Sequence, residues 1–378
     1  MSKIHLVSES VCKGHPDKLA DQISDSILDA ALKQDKNSRV AVESLVAKDL
    51  IVLAGEVSTQ TKLNYEKIAR QVIKDNGYIY PQWGFSDKSK ILIDIHEQSP
   101  EISQGVDKKN ERTAIGAGDQ GFAYGYACNE TKNFMPLTIE LAHLITSRLD
   151  QAREEATITN LRPDGKSQIT ILYENDKPIE VTHVTVAVPH DQSKKLSQLR
   201  YEIIEQIIGP TLIEYGFSLP SGNNIIINGT GVWHNPGPAS DTGLTGRKIV
   251  VDTYGGIGKV GGGAFSGKDP SKIDRSAAYL ARYLAKNIVA NNLADKAEIS
   301  LAYYIGAKEA IFQNINTFGT EKRNPEFIEE LVRSLASTDV KSIIEKFSLD
   351  STEYIKTAQN GHFGKPKLTK EKLTKIKA

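Results

Sequence analysis

Residues 39–58 read Arg39-Val40-Ala41-Val42-Glu43-Ser44-Leu45-Val46-Ala47-Lys48-Asp49-Leu50-Ile51-Val52-Leu53-Ala54-Gly55-Glu56-Val57-Ser58. Aliphatic and β-branched residues fill two runs around a polar turn at Lys48-Asp49, which predicts a strand hairpin. Before it, Leu19, Ile23, Ile27, Leu28 and Ala31 recur at helical spacing; after it, Leu63, Ile68, Val72 and Ile73 make a second amphipathic stretch. The order is helix, hairpin, helix.

The same order recurs twice. Leu137, Leu141, Leu144, Ile145 and Leu149 form a helix face, Ile169 to Val188 reads as two strands around Asn175-Asp176-Lys177-Pro178, and Leu196 to Ile213 is helical. Then come Ala277, Leu280, Leu284 and Ile288, strands from Ile299 to Phe318 around Gly306-Ala307, and a closing helix with Phe327, Leu331, Leu335 and Ile343. The repetition is of pattern, not of residue identity. It predicts an α+β fold of three structurally similar domains, each a mixed or antiparallel sheet covered by helices. The expected ranges are 1–101, 114–231 and 233–372, with 98–121 a mobile active-site loop region and a second Gly/Asn-rich connection from Ser221 to Gly246.

Bulk properties narrow the function. The 378 residues carry 47 Lys+Arg against 47 Asp+Glu, so no net charge draws the chain to nucleic acid or anionic lipid. Two cysteines, Cys12 and Cys128, without a CxxC spacing, argue against a disulfide framework and a thiolate metal site. The start of the chain lacks a signal-peptide apolar run, and no stretch is long and apolar enough to span a bilayer. The chain reads as a soluble cytoplasmic protein.

Chemistry gathers in a few segments. Gly261-Gly262-Gly263-Ala264-Phe265-Ser266-Gly267-Lys268-Asp269-Pro270-Ser271-Lys272-Ile273-Asp274-Arg275 combines glycines, cations and acids just before a helix, as a polyphosphate with Mg2+ requires. Gly262 to Lys268 spells GxxxxGK, and Ile249-Val250-Val251 could be a strand before it. Yet Asp269 stands where a P-loop needs a Ser or Thr hydroxyl, and Pro270 interrupts the helix. In Gly14-His15-Pro16-Asp17-Lys18, Pro16 suits the first helical position and puts an imidazole and a carboxylate at a positive helix end; the plain alternative is a capped helix. Arg162-Pro163-Asp164-Gly165-Lys166, Gly116-Ala117-Gly118-Asp119-Gln120-Gly121 and Asp241-Thr242-Gly243-Leu244-Thr245-Gly246-Arg247-Lys248 each read alone as turns bearing charge. Glu43 and Glu56 lie inside apolar strand runs. Each is expected to be buried, in a structural ion pair or on a cation.

Taken together, Gly14 to Lys18, Gly118 to Gly121, Gly246 to Lys248, Gly261 to Lys272 and the closing Gly361-His362-Phe363-Gly364 resemble the S-adenosylmethionine synthetase (methionine adenosyltransferase) family over nearly the whole chain. The resemblance implies pseudo-threefold symmetry of the three domains and a homodimer with active sites at the interface, commonly paired into a homotetramer. It implies attack of the methionine sulfur on ribose C5′ of ATP, followed by hydrolysis of the triphosphate to pyrophosphate and phosphate. By the same resemblance, His15, Lys166, Arg247 and Lys268 are catalytic. His15, Asp164, Lys166, Trp233, Asp241, Arg247, Lys248, Ala264 and Lys268 bind ATP; Glu56, Gln98, Asp119, Asp241 and Lys272 bind methionine. Glu9, Asp17 and Asp274 surround a pair of Mg2+ ions, and Glu43 helps to hold K+.

Three departures stand out. Lys13 replaces a Glu usual in the family, reversing charge beside the metal cluster. Asn228-Gly229-Thr230-Gly231-Val232-Trp233 lacks the usual Arg and carries Trp for Phe, which implies altered nucleotide affinity with adenine stacking kept. Asp164-Gly165-Lys166 replaces Asp-Ala-Lys, a minor change. Two rival readings are a P-loop-like kinase or NTPase and a non-catalytic nucleotide-binding regulatory subunit.

Overall fold

The computed structural model describes residues 3–97, 115–365 and 367–375. Gln98 and residues 99–114 of the expected loop lie outside the described residues. In chain order the elements are β1 (Lys3–Val11), α1 (Pro16–Gln34), β2 (Arg39–Ala47), β3 (Leu50–Ser58), α2 (Tyr65–Asp75), β4 (Lys90–His96), β5 (Gly121–Cys128) and α3 (Leu137–Glu154). After β6 (Lys166–Glu174) and β7 (Lys177–Ala187), α4 (Leu196–Ile203) runs through a π-helical turn into α5 (Gly209–Glu214). Then follow β8 (Ile225–Ile227), β9 (Gly243–Leu244), the single turn α6 (Ile249–Asp252), α7 (Ile273–Ala290), β10 (Lys296–Tyr303), β11 (Phe312–Asn316), α8 (Pro325–Leu335) and α9 (Val340–Phe347).

All three expected hairpins form, as the antiparallel pairs β2–β3, β6–β7 and β10–β11. Each grows into a sheet by taking a strand from another third of the chain. β1 adds to β6, β9 adds to β2 and β5 adds to β10, all antiparallel. The sheet orders are β1-β6-β7-β8, β4-β3-β2-β9 and β11-β10-β5. The β3–β4 and β7–β8 pairs are parallel, so two of the sheets are mixed.

Helices cover one face of each sheet: α1 on β2, α7 on β5 and β10, α3 on β1 and β6. The alternation in β2 shows why. Val40, Val42, Ser44 and Val46 point under α1 and are buried, while the residues between them point away. The α7 contact is so close that a Cβ on Gly125 would lie 1.9 Å from the Ala281 carbonyl carbon.

Three expectations change. Glu43 is exposed and Glu56 half-buried, because both fall on the uncovered face of β2 and β3. Apolar neighbours along a strand do not bury a residue whose own face has no covering layer. Ile249 to Val251 form α6, not a strand, which removes the strand a P-loop requires. The closing helix of the third copy is two helices, since α8 ends before Ala336 and Asp339 recaps α9 by accepting from Ser342 N at 2.8 Å.

Candidate active site

Pro16 starts α1 and leaves His15 as its N-cap. The His15 Nδ1 accepts the Asp17 N–H at 3.1 Å, so the ring proton sits on Nε2, which is buried and has no hydrogen-bond partner among the described residues. Burial, followed by Lys248 and Lys166, pushes the imidazole pKa down to about 3. The site therefore holds a neutral N–H donor within the field of two ammonium groups, with no acceptor among the described residues.

The turn after β9 comes to meet it. Asp17 accepts Leu244 N at 3.0 Å and Lys248 Nζ at 2.6 Å, with Arg247 Nε at 3.8 Å. Burial opposes ionisation of Asp17, but the Lys248 and Leu244 hydrogen bonds outweigh it and hold the carboxyl below its usual range. Gly243 is required here, because a Cβ would stand 2.2 Å from the Pro16 carbonyl.

The glycine run lies alongside. Val42 N donates to Gly267 O and Asp269 N to Val40 O, both at 3.0 Å, so the run extends the β2 edge that β9 occupies further along. Asp269, which broke the P-loop spelling, is fully buried. It accepts Val40 N, the Ser271 N–H and hydroxyl, and Lys272 Nζ at 2.6–2.9 Å. It is a turn anchor, and Lys272 is engaged there. Lys268 instead reaches Asp274 at 2.5 Å. Gly263 fits against that carboxylate, where a Cβ would meet Asp274 Oδ2 at 2.1 Å. Asp119 caps α7 through Ile273 N at 2.9 Å, and burial, with Asp274 next, pushes its carboxyl up to about 6.

The structure thus gathers His15, Asp17, Arg247 and Lys248 into one group, and Asp119, Lys268 and Asp274 into a second. They adjoin where Gly246 packs on Ala264, a Cβ on Gly246 falling 2.4 Å from the Ala264 methyl. A pocket of about 260 Å3 brings Glu43, Glu56, Ala264 and Lys268 together on the uncovered face of β2–β3. Lys166, though exposed, lies within electrostatic reach of both His15 and Asp164. Glu9 and Lys166 are exposed on the β1–β6 sheet, Asp241 is exposed, and the Trp233 Nε1 donates to Asn235 O at 2.7 Å. Asp164 is buried, accepting Gly165 N at 2.6 Å and Gly237 N at 3.0 Å, and burial raises its pKa to about 7. Its carboxyl positions the backbone beneath Gly14.

Sequence reasoning missed the stripe Asp21, Asp25 and Asp29, which continues Asp17 at helical i+4 spacing along α1. Each carboxylate holds a different loop. Asp21 accepts Gly246 N at 2.8 Å, Asp25 accepts Gly267 N at 2.9 Å, and Asp29 accepts Tyr354 N and Ile355 N at 2.7 and 3.0 Å. The four-residue periodicity of Asp was the available signal.

The donor set suits Mg2+ held largely by a substrate. Asp17 and Asp274 are hard oxygen ligands, each paired with one lysine, and among the described residues no three acid, His or Cys side chains converge as a cage. Mg2+ takes one or two carboxylates plus phosphates and waters in such sites.

Models of the N-terminal, central and C-terminal domains of S-adenosylmethionine synthetase match residues 3–100, 114–233 and 236–372. The chain belongs to the S-adenosylmethionine synthetase family. The S-adenosylmethionine synthases of Helicobacter pylori and Pseudothermotoga lettingae are each 46% identical to it, over 98% of this chain and 96% of the relative. Neither the kinase nor the non-catalytic reading finds support in these matches. No helix among the described residues is long and apolar enough to cross a membrane.

Proposed function

We infer that the chain synthesises S-adenosylmethionine from ATP and L-methionine where α1, the β9 turn and the glycine run meet. The observation that carries this reading is the His15 Nε2–H, a buried neutral donor without an acceptor among the described residues, near cations that shift its pKa. The methionine sulfur attacks ribose C5′, the C5′–O bond breaks, and the triphosphate leaves with the electron pair. Hydrolysis then gives pyrophosphate and phosphate.

A thioether has a lone pair and no proton to lose, so this step needs no general base. Nor is a thiolate in reach: burial raises the pKa of both Cys12 and Cys128. What the step needs is alignment and stabilisation of charge on the departing oxygen. His15 donates to that oxygen, while Lys166, Arg247, Lys248 and Lys268 neutralise the phosphates. Asp17 and Asp274, with Glu9, would hold the Mg2+ pair, and Glu43 K+; bound there, these ions would neutralise and orient the triphosphate. Asp164, Trp233, Asp241 and Ala264 form the nucleotide side. Glu56, Gln98, Asp119 and Lys272 take methionine, Lys272 by leaving Asp269.

The working unit in this reading is a homodimer in the cytoplasm. The uncovered sheet faces carry Glu9, Lys166 and Glu43 beside large exposed apolar side chains, and a partner subunit completes the centre there. The test is incubation with ATP, methionine, Mg2+ and K+. A sulfonium product with equal pyrophosphate and phosphate is expected; ADP without sulfonium, or no turnover, overturns the reading.

A further inference from the structure

Tyr78 lies outside every charged segment described above, yet its side chain ends beneath the candidate centre. It follows α2, where Gly77, at φ 88°, turns the chain and Tyr78 N donates to Ile73 O at 3.2 Å. The Tyr78 carbonyl accepts Asp87 N at 2.9 Å, and its ring stands nearly perpendicular to that of Phe85, with centroids 5.5 Å apart. Held at backbone and ring, the fully buried side chain donates its hydroxyl proton to Gly14 O at 2.6 Å.

That carbonyl belongs to the peptide that leads into His15, and Gly14 cannot orient it alone. Gly14 is buried and has no room for a side chain, since a Cβ would stand 2.9 Å from Asp164 N. A glycine leaves the following peptide plane unusually free to turn. Here the plane is fixed at both ends. Its N–H, on His15, donates to Cys12 O at 3.0 Å, and its carbonyl accepts from Tyr78. Gly237 lies against the same hydroxyl, a Cβ there falling 2.0 Å from it, so water has no room to take the hydroxyl's place. Burial, with Asp164 next, raises the phenol well above its ordinary pKa and keeps it a neutral donor.

We propose that Tyr78 is a positioning residue for S-adenosylmethionine synthesis: its hydroxyl sets the Gly14–His15 peptide and, through it, the direction of the His15 Nε2–H. The proposal rests on the reading of His15 as donor to the departing oxygen. A donor aimed at that oxygen acts in the transition state. Misdirecting it lowers kcat and kcat/KM together and leaves KM in place.

The test uses the full-length protein. Tyr78→Phe keeps the ring and removes one oxygen; kcat is expected to fall about tenfold, with KM for methionine and ATP within about twofold of the parent. Val72→Ala, on the buried face of α2, loosens the same core without touching the hydroxyl. It should lower the melting temperature and keep kcat. In protein labelled with 15N-histidine, the His15 ring resonances, assigned by their loss in His15→Asn, should move in Tyr78→Phe and hold in Val72→Ala. Parental kcat in Tyr78→Phe, an equal fall of kcat in Val72→Ala, or parental His15 resonances in Tyr78→Phe would each overturn the proposal. The resonances need no turnover, so they separate failure of this proposal from failure of the synthetase reading. Where Tyr78→Phe fails to fold, a crystal structure of the parent with ATP and Mg2+ but no methionine decides. The Tyr78–Gly14 bond is expected to persist with His15 Nε2 at the C5′ oxygen, and a broken bond with His15 still so placed would overturn the proposal.

Discussion

At the scale of single residues, His15 combines a structural and a chemical task that substitution separates. Its Nδ1 caps α1, and Asn is among the best side chains for that position. His15→Asn should therefore keep the helix start while removing the Nε2–H. We expect kcat to fall by about 10²–10³-fold, the loss typical of one transition-state donor, with the melting temperature nearly unchanged at neutral pH. Steady-state assay beside a thermal melt checks this, and a kcat within threefold of the parent would remove His15 from catalysis. The same residue makes a pH prediction. Its folded pKa, about 3, lies below the unfolded value of 6.5. As pH falls below about 6.5, the unfolded chain takes up the proton and the folded chain does not, so stability is lost on acidification. Between pH 7 and pH 5 this single linkage removes about 2 kcal/mol. Urea titrations at both pH values should show His15→Asn gaining about that much relative to the parent. An equal pH response in both proteins would mean that His15 is free to ionise when folded.

At the scale of elements, α1 organises the centre through its acidic stripe. Asp25 is the stripe's most demanding member, because it accepts Gly267 N and pairs with the fully buried Arg275, whose guanidinium also sits 4.2 Å over Tyr354. Asp25→Asn leaves that cation buried and unpaired, at an expected cost of about 3–5 kcal/mol. Asp25→Leu combined with Arg275→Met should recover part of the loss, since the penalty is the stranded charge. Denaturant unfolding of the three proteins checks it; a loss below about 1 kcal/mol in Asp25→Asn would mean that solvent or another group compensates Arg275. The stripe also shows where sequence reading stops. The hairpins were legible, because the alternation in residues 39–58 is a property of the local chain. The glycine positions were legible as close approaches, and Gly243 and Gly263 are such contacts. What the acids approach was not legible. Asp17, Asp21, Asp25 and Asp29 look like the solvated face of an amphipathic helix until loops more than 200 residues away lie over it. The same limit hid the sheet exchange. Nothing in a strand as short as Gly243-Leu244 names Leu45 and Val46 as its partners.

At the scale of the whole molecule, three of the candidate carboxylates have something in common. Glu9, Glu43 and Glu56 all lie on sheet faces without a helix layer: Val7, 49% exposed, shares the β1 face with Glu9, Leu92, 46% exposed, pairs with Val52 on the face that carries Glu56, and the third sheet leaves Phe122 54% exposed. Apolar side chains of this size, standing among candidate ligands, are what an interface between two copies would cover. The expectation of buried, partnered acids fails for the isolated chain and is met if the partner supplies the covering layer. In a twofold dimer every substitution occurs twice across one interface. Placing Glu at both Val7 and Phe122 would therefore bring four unpaired charges into it, each costing several kcal/mol to desolvate. It would also remove about 1.5–3 kcal/mol of apolar burial per side chain. Each side chain is about half exposed in the protomer, so the fold should survive. We expect Val7→Glu/Phe122→Glu to sediment as a monomer with parental circular dichroism and to lose nearly all synthetic activity, because Glu9, Lys166 and Glu43 would then face water. A monomer with full activity would place the complete centre within one chain. A dimer that persists would place the interface on another surface.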